Sequence, residues 1–111
     1  MNHQSRDELL KALFAIFPAF QAEWLADCEG EIWRSESLHS VYMSFVPFLA
    51  KIEPSEKQLG QLAQILNGAV AAGGDAENAA DTSFFEALGP GPLRRNLRPL
   101  LSPAAKARLH A

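Results

Sequence analysis

Apolar side chains recur at intervals of three and four residues along this chain, and that spacing constrains the fold more than any other feature. Leu9, Leu13 and Phe17 form one such stripe, and residues 59–70 form another. Residues at this spacing share one face of an α-helix, because the helix turns once every 3.6 residues. No segment alternates apolar and polar residues over four or more positions with a strand-type composition. The sequence therefore predicts an all-α fold.

Proline, glycine and capping residues divide the chain into a compact bundle of about five helices plus a short C-terminal helix. A first helix follows Ser5 and Glu8, which have capping-box spacing, and ends at Pro18. A second is predicted over about Pro18–Asp27, with Phe20, Trp24 and Leu25 facing inward, and Gly30 ends it. The third helix is predicted over Leu38–Lys51 with Ser37 as its cap. The fourth runs from Pro54 to about Gly73, where Ser55 and Gln58 again have capping-box spacing, and the fifth covers about Ala76–Leu88 with Asp75 as its cap.

Several single residues refine these boundaries. Pro47 lacks an amide donor, so a kink or break is expected near Met43–Ser44. Gly73 and Gly74 predict a left-handed helix stop, since glycine adopts positive φ without steric cost. A short helix is predicted over Leu93–Leu97, and Ser102 with Pro103 marks the start of the last one.

Length and composition indicate one globular domain, residues 1–111. Apolar residues make up 48% and charged residues 21%, which is close to the globular average. The single cysteine, Cys28, excludes an internal disulfide framework. Asp7 and Glu8 lie where a secretion signal requires positive charge, and no apolar run is long enough to span a membrane. We therefore expect a cytoplasmic protein without a membrane segment.

Charge is distributed unevenly along the chain. All 13 acidic residues lie before residue 89, and five of the 10 basic residues follow it: Arg94, Arg95, Arg98, Lys106 and Arg108. Such asymmetry is typical of an interaction surface, or of a basic tail that folds back on an acidic body. The internal contact is the favoured interpretation of the two.

The candidates for catalysis and metal binding are weak. Asp27 and Glu29 flank Cys28 and would raise its pKa, which opposes activation as a nucleophile. The three histidines, His3, His39 and His110, share no helical spacing, so they form no zinc motif. Glu77 and Asp81 lie four residues apart, but no further oxygen ligands accompany them. The sequence predicts no catalytic residue, no metal and no cofactor.

Nucleic acid is disfavoured as a partner. The basic tail could contact phosphates, but the acidic body would repel the remaining phosphates of the nucleic acid. No recognition helix or aromatic-stacking motif accompanies the tail. A protein partner fits better. Trp33 lies among charged residues that include Glu29 and Glu31, and it is either a core residue or an exposed anchor, since tryptophan is enriched at the centres of protein interfaces.

The last third of the chain resembles a known family. Glu77-Asn78-Ala79 is followed by a Thr-x-Phe-x-Glu-x-Leu element over residues 82–88, and then by a leucine-rich tail ending near Pro103 and Lys106. This pattern resembles a family of small bacterial all-helical proteins without an assigned activity. It is similar to immunity proteins that accompany bacterial polymorphic toxins. The resemblance implies no catalytic residues.

We therefore expect a non-catalytic protein-interaction module, and specifically an immunity-type protein that occludes a cognate bacterial toxin. The predicted partner-binding residues are Glu29, Glu31, Trp33, Glu77 and Asp81. The alternatives are self-association, with the acidic body of one copy meeting the basic tail of another, and weak nucleic-acid binding through that tail. Asn78 is expected to hydrogen-bond the backbone of a neighbouring helix or turn, and Thr82 is expected to pair with Asn78.

Overall fold

The computed structural model of the protein describes residues 6–28, 38–89 and 91–109, and every regular element in these ranges is helical. This confirms the predicted all-α class. The elements are α1 (Arg6–Ile16), α2 (Phe20–Cys28), α3 (Leu38–Ala50), α4 (Glu56–Ala72), α5 (Gly74–Ala79), a π-helical segment (Ala80–Phe85), α6 (Pro92–Leu97), a 3-10 turn (Arg98–Leu100) and α7 (Pro103–Lys106). The predicted helix-start and helix-stop residues Ser5, Gly30 and Ser37 lie outside the described residues.

The turn between α1 and α2 brings aromatic rings to the α3 side of the core. Phe17 and Phe20 flank Pro18, and the Phe20 ring lies 5.0 Å from Phe45 and 5.4 Å from Phe48 of α3. The inward orientation predicted for Leu25 is wrong, because this side chain is 62% exposed. Phe20 and Trp24, four residues apart, share the buried face of α2, and the next residue along the helix points about 100° away from it.

Of the kink or break predicted near Met43–Ser44, the break does not occur, because helix α3 continues through Pro47. Proline leaves the carbonyl of Met43 without its usual intrahelical donor. Met43 and Pro47 are both exposed, so they lie on the solvent side of the helix. Burial of the flanking apolar residues Phe45, Phe48 and Leu49 holds the helix in place across this position.

Helix α4 begins at the predicted capping box. Ser55 Oγ accepts from the Gln58 amide at 3.1 Å, and Gln58 Oε1 accepts from the Ser55 amide at 2.9 Å. The Nε2 of the same Gln58 amide donates to the Ile16 carbonyl at 3.0 Å, and this bond connects the start of α4 to the end of α1. The predicted apolar stripe of α4 is buried: Leu59, Leu62, Leu66, Ala69 and Val70.

Two glycines allow α5 to follow α4 with a single residue between them. Gly73 and Gly74 have φ of 71° and 58°, values that favour glycine because a Cβ would clash with the backbone. The predicted glycine stop is confirmed. The prediction that Asp75 caps the next helix is wrong, because α5 begins at Gly74 and Asp75 lies within its first turn.

After Ala79 the helix widens into the π-helical segment, which places consecutive side chains in the core. The Glu86 amide bonds the Asp81 carbonyl, five residues back, at 3.1 Å. The wider turn reduces the rotation between neighbouring residues, so Ser83, Phe84 and Phe85 are all buried. The two phenylalanine rings meet edge to face at 5.4 Å. Leu88, three residues beyond this segment, is buried as well.

The C-terminal elements pack against α4 through apolar side chains and one amide. The buried residues are Leu97, Leu101, Ala105 and Leu109. Asn67 of α4 accepts from the Ser102 amide at 2.8 Å, and Ser102 Oγ accepts from the Ala105 amide at 3.2 Å. Ser102 therefore caps α7 as predicted, and its position is fixed by α4.

Tyr42 of α3 links burial to alkaline stability. Its ring is 2% exposed and meets Phe84 at 5.9 Å, and burial raises the pKa of this phenol above its ordinary value of 10.0. In the unfolded chain the phenol loses its proton near pH 10, whereas the folded chain retains it. We predict that the free energy of unfolding falls as the pH rises above about 10, because only the unfolded state gains by ionisation.

This prediction is checked by urea unfolding between neutral and alkaline pH, with Tyr42→Phe as the matched control. The variant should show a weaker loss of stability above pH ~10, since it has no phenol to ionise. Tyr42 is the one tyrosine of the chain, so tyrosinate absorbance reports on it alone. Tyrosinate absorbance rising near pH 10 without unfolding would contradict the burial argument.

Candidate functional site

Two of the five predicted partner-binding residues lie among the described residues. Glu77 lies in α5 and Asp81 begins the next turn, in the π-helical segment. Glu29, Glu31 and Trp33 lie outside the described residues. The site can therefore be built from α5, the π-helical segment and the elements packed against them, which are α3 and α4.

Arg108 reaches both acidic residues from the C-terminal end of the chain. Its Nη2 forms an ion pair with Glu77 Oε2, and its Nη1 lies 3.6 Å from Asp81 Oδ2. The other carboxylate oxygen of Asp81, Oδ1, is buried and has no hydrogen-bond partner among the described residues. Because Arg108 offsets one of their two negative charges, Glu77 and Asp81 present less negative charge to a partner than the sequence suggests. Their role in partner binding stays a prediction.

This contact also bears on the basic tail. For Arg108 the favoured interpretation, a tail folded back on the acidic body, is confirmed. Arg95, Arg98 and Lys106 are exposed and have no ion-pair partner among the described residues. Part of the basic charge therefore contributes to docking the C-terminal elements, and part faces solvent.

At the same turns of the chain, His39 joins α3 to the π-helical segment. Its Nδ1 lies 2.8 Å from Ser83 Oγ and 3.2 Å from Thr82 Oγ1, and its Nε2 lies 3.5 Å from Asn78 Nδ2. Thr82 Oγ1 also donates to the Asn78 carbonyl at 2.9 Å. The Asn78–Thr82 pair is thus present as a side chain–backbone bond. The partner expected for Asn78, a backbone group of another element, is instead the His39 ring.

The single hydroxyl proton of Thr82 fixes the direction of these bonds. Thr82 gives its hydroxyl proton to the Asn78 carbonyl, so towards His39 its oxygen can only accept. We therefore assign the ring proton to Nδ1, which donates to the two hydroxyl oxygens, while Nε2 accepts from the Asn78 amide. In this arrangement His39 does not take a proton from Ser83. The cluster therefore acts as a hydrogen-bonded link between two elements.

The outward face of α3 carries the most distinctive surface of the described residues. The helix Leu38–Ala50 contains no Asp, Glu, Lys or Arg, and Met43 at its centre is 52% exposed. Between α3 and the π-helical segment lies a groove of about 450 Å³. We call it the α3 groove, and it is lined by Met43, Val46, Pro47, Ala50, Thr82, Ser83 and Ala87. An exposed apolar groove of this kind suits contact with another macromolecule.

A second cavity lies on the far side of Ala50. It has a volume of about 410 Å³ between the end of α3, the start of α4 and α6, and its polar groups are Glu53 and Asn96. The described residues contain no cluster of three or more His, Cys, Asp or Glu side chains able to hold a metal ion. Within the same ranges, no helix has both the length and the apolar character needed to cross a membrane.

Sequence reasoning missed the His39 cluster and the α3 groove. His39 and Ser83 are 44 residues apart, and no motif connects them. One signal was present in the sequence, the absence of charge across residues 38–50, although an amphipathic surface helix normally carries charge on its outer face. The absence of charge indicates that the outer face of α3 is less polar than the solvent-exposed face of an ordinary surface helix.

No family model, no curated protein and no solved structure matches this chain. The resemblance to immunity proteins therefore stays a prediction.

The His39 cluster predicts a graded loss of stability. His39→Ala leaves the buried Ser83 hydroxyl without this partner, and we expect a loss of about 1–2 kcal/mol in the free energy of unfolding. Asn78→Ala should cost less, because its contact with His39 is long and exposed. Urea unfolding of both variants measures the difference. Wild-type stability in His39→Ala would show that the ring does not link α3 to the π-helical segment.

The ion pair of Arg108 and Glu77 predicts a measurable coupling between the tail and α5. A double-mutant cycle with Arg108→Met and Glu77→Gln should give a favourable coupling of roughly 1 kcal/mol, since both side chains are partly exposed. The coupling should decrease as salt is added, because exposed charges are screened. The Lys51–Glu23 pair, at 3.0 Å and more exposed at its lysine, is the control cycle and should couple more weakly. Additive effects at Arg108 and Glu77 would contradict this.

Proposed function

We propose that this protein is a non-catalytic protein-interaction module that binds a partner through the α3 groove. The observation that carries the proposal is the outer face of α3, which is uncharged and has the half-exposed Met43 at its centre. A solvated helix face normally carries charged or polar side chains, which cost nothing to hydrate. An apolar face beside a groove is stabilised when a partner covers it.

The surroundings of the groove favour a rigid binding surface. On one side α3 is anchored by the buried rings of Tyr42, Phe45 and Phe48. On the other, Phe84 and Phe85 fix the π-helical segment, and His39 bonds the two elements together. A preformed surface loses little conformational entropy on binding, so more of the contact energy contributes to affinity.

The specific form of the proposal is an immunity-type protein that occludes a bacterial toxin. Its support is the resemblance of residues 77–106 to immunity proteins, together with the acidic charge of residues 1–88. Binding by occlusion needs a stable surface and no chemistry of its own. The expected partner is a toxin encoded next to this protein.

The test is co-expression with each neighbouring gene, scored by cell growth and by co-purification. We predict that one neighbour is toxic alone and forms a stable complex with this protein. Met43→Gln should weaken that complex about tenfold or more, since it replaces an apolar contact with an amide that has to be desolvated. Leu25→Gln is the matched control, because Leu25 is 62% exposed on α2 and does not line the groove.

Two results would count against the proposal. Equal weakening by Met43→Gln and Leu25→Gln would show that the α3 groove is not the binding surface. If no neighbour is toxic and none co-purifies, the immunity role is wrong. Static light scattering then tests the alternative of self-association. A chain that stays monomeric across the micromolar range excludes that alternative as well.

A further inference from the structure

We propose that the occupant of the α3 groove is an amphipathic helix of the partner protein, with apolar residues on one face and Lys or Arg beside them. This inference rests on the proposed function and adds the chemistry of the partner segment. Three features of the described residues carry it: the spacing of the residues that line the groove, the negative charge at its border, and the ion pair that already occupies Lys51.

The lining of the groove has the spacing of a helix face. Met43, Val46, Pro47 and Ala50 lie at positions i, i+3, i+4 and i+7 of α3. Thr82, Ser83 and Ala87 form the other wall, and His39 at the start of α3 contacts the first two of them. Two helical walls with small residues at Ala50 and Ala87 leave a groove that a third helix can fill. The α3 lining spans residues 43–50, so about 12 Å of an occupant, roughly two turns, contacts this wall.

The border of the groove is acidic. Asp75 lies three residues before Asn78 and seven before Thr82, so it belongs to the helix stripe that contacts His39. Glu86 immediately precedes the lining residue Ala87. Both acids are exposed, and neither has an ion-pair partner among the described residues. Glu86 therefore places uncompensated negative charge at one end of this wall, and Asp75 lies about two turns before its first lining residue, Thr82.

The nearest basic residue does not offset this charge. Lys51 follows the lining residue Ala50, and its ammonium bonds Glu23 of α2 at 3.0 Å. No lining residue of the groove is itself charged. The lining of the groove is therefore apolar and its border is negative. This surface complements a partner helix whose apolar residues are flanked by Lys or Arg. In a symmetric contact a second copy would bring its own Glu86 to the same border, and like charges oppose that contact.

The experiment uses two synthetic helical peptides of about 14 residues, the length that spans α3. They share one leucine face at i, i+3, i+4, i+7 spacing, and their remaining positions carry mainly Lys in one peptide and mainly Glu in the other. Fluorescence anisotropy measures the binding of each labelled peptide to the full chain. We expect the Lys peptide to bind at least about tenfold more tightly than the Glu peptide, and this preference to shrink as salt is added.

Four variants locate the binding. Met43→Gln should weaken the Lys peptide about tenfold, and Leu25→Gln should not. Glu86→Lys should reduce the preference for the Lys peptide more than Glu56→Lys does. Glu56 is an exposed acid in the first turn of α4 that does not line the groove, so both variants change the net charge equally.

Each other outcome overturns a defined part of the inference. Equal effects of Glu86→Lys and Glu56→Lys, or equal binding of both peptides, would show that the groove does not select a basic helix. If neither peptide binds while Met43→Gln still disrupts the complex with a neighbouring protein, the basic helix is wrong and the proposed function stands. If Met43→Gln also leaves that complex intact, the proposed function fails as well. A micromolar dimer that Met43→Gln dissociates would make a second copy the occupant.

Discussion

The packing of α3 against the π-helical segment is the contact on which the rest of the structure depends. Tyr42 and Phe45 of α3 meet Phe84 at 5.9 and 6.4 Å, and Phe45 also meets the α1–α2 turn through Phe17 and Phe20. One group of aromatic rings therefore connects the N-terminal helices to residues 80–85. Burial of rings this large supplies much of the driving force for folding, because apolar area removed from water contributes roughly 25 cal/mol per Å².

The same contact produces the candidate site. The π-helical segment turns Ser83 as well as Phe84 and Phe85 towards the body of the protein, which brings Ser83 within 2.8 Å of His39. The apolar residues of α3 that do not enter this packing form one wall of the α3 groove. Core and surface are thus two faces of one uncharged helix. The inner face is buried in the core, and the outer face is the surface that we propose for partner binding.

The sequence predicted local features well and their assembly poorly. The capping box at Ser55 and Gln58 and the glycine stop at Gly73 depend on residues close in sequence, so pattern alone identifies them. The wrong orientation predicted for Leu25 and the absence of a break at Pro47 have a common cause. In each case neighbouring residues were already buried against another element, and tertiary packing decided which face of the helix pointed outward. A helix with enough buried rings tolerates a proline at an exposed position, and the rule against internal proline does not include that compensation.

By itself the sequence determined the all-α class, the approximate positions of the helices, the apolar stripes of α1 and α4, and the separation of acidic and basic charge along the chain. All of these follow from periods of three and four residues and from composition, which need no knowledge of distant contacts. Only the tertiary structure decided that Arg108 meets Glu77, 31 residues away, and that His39 meets Ser83, 44 residues away. The α3 groove belongs to this second group, because a groove exists only between two walls and the sequence describes each wall separately.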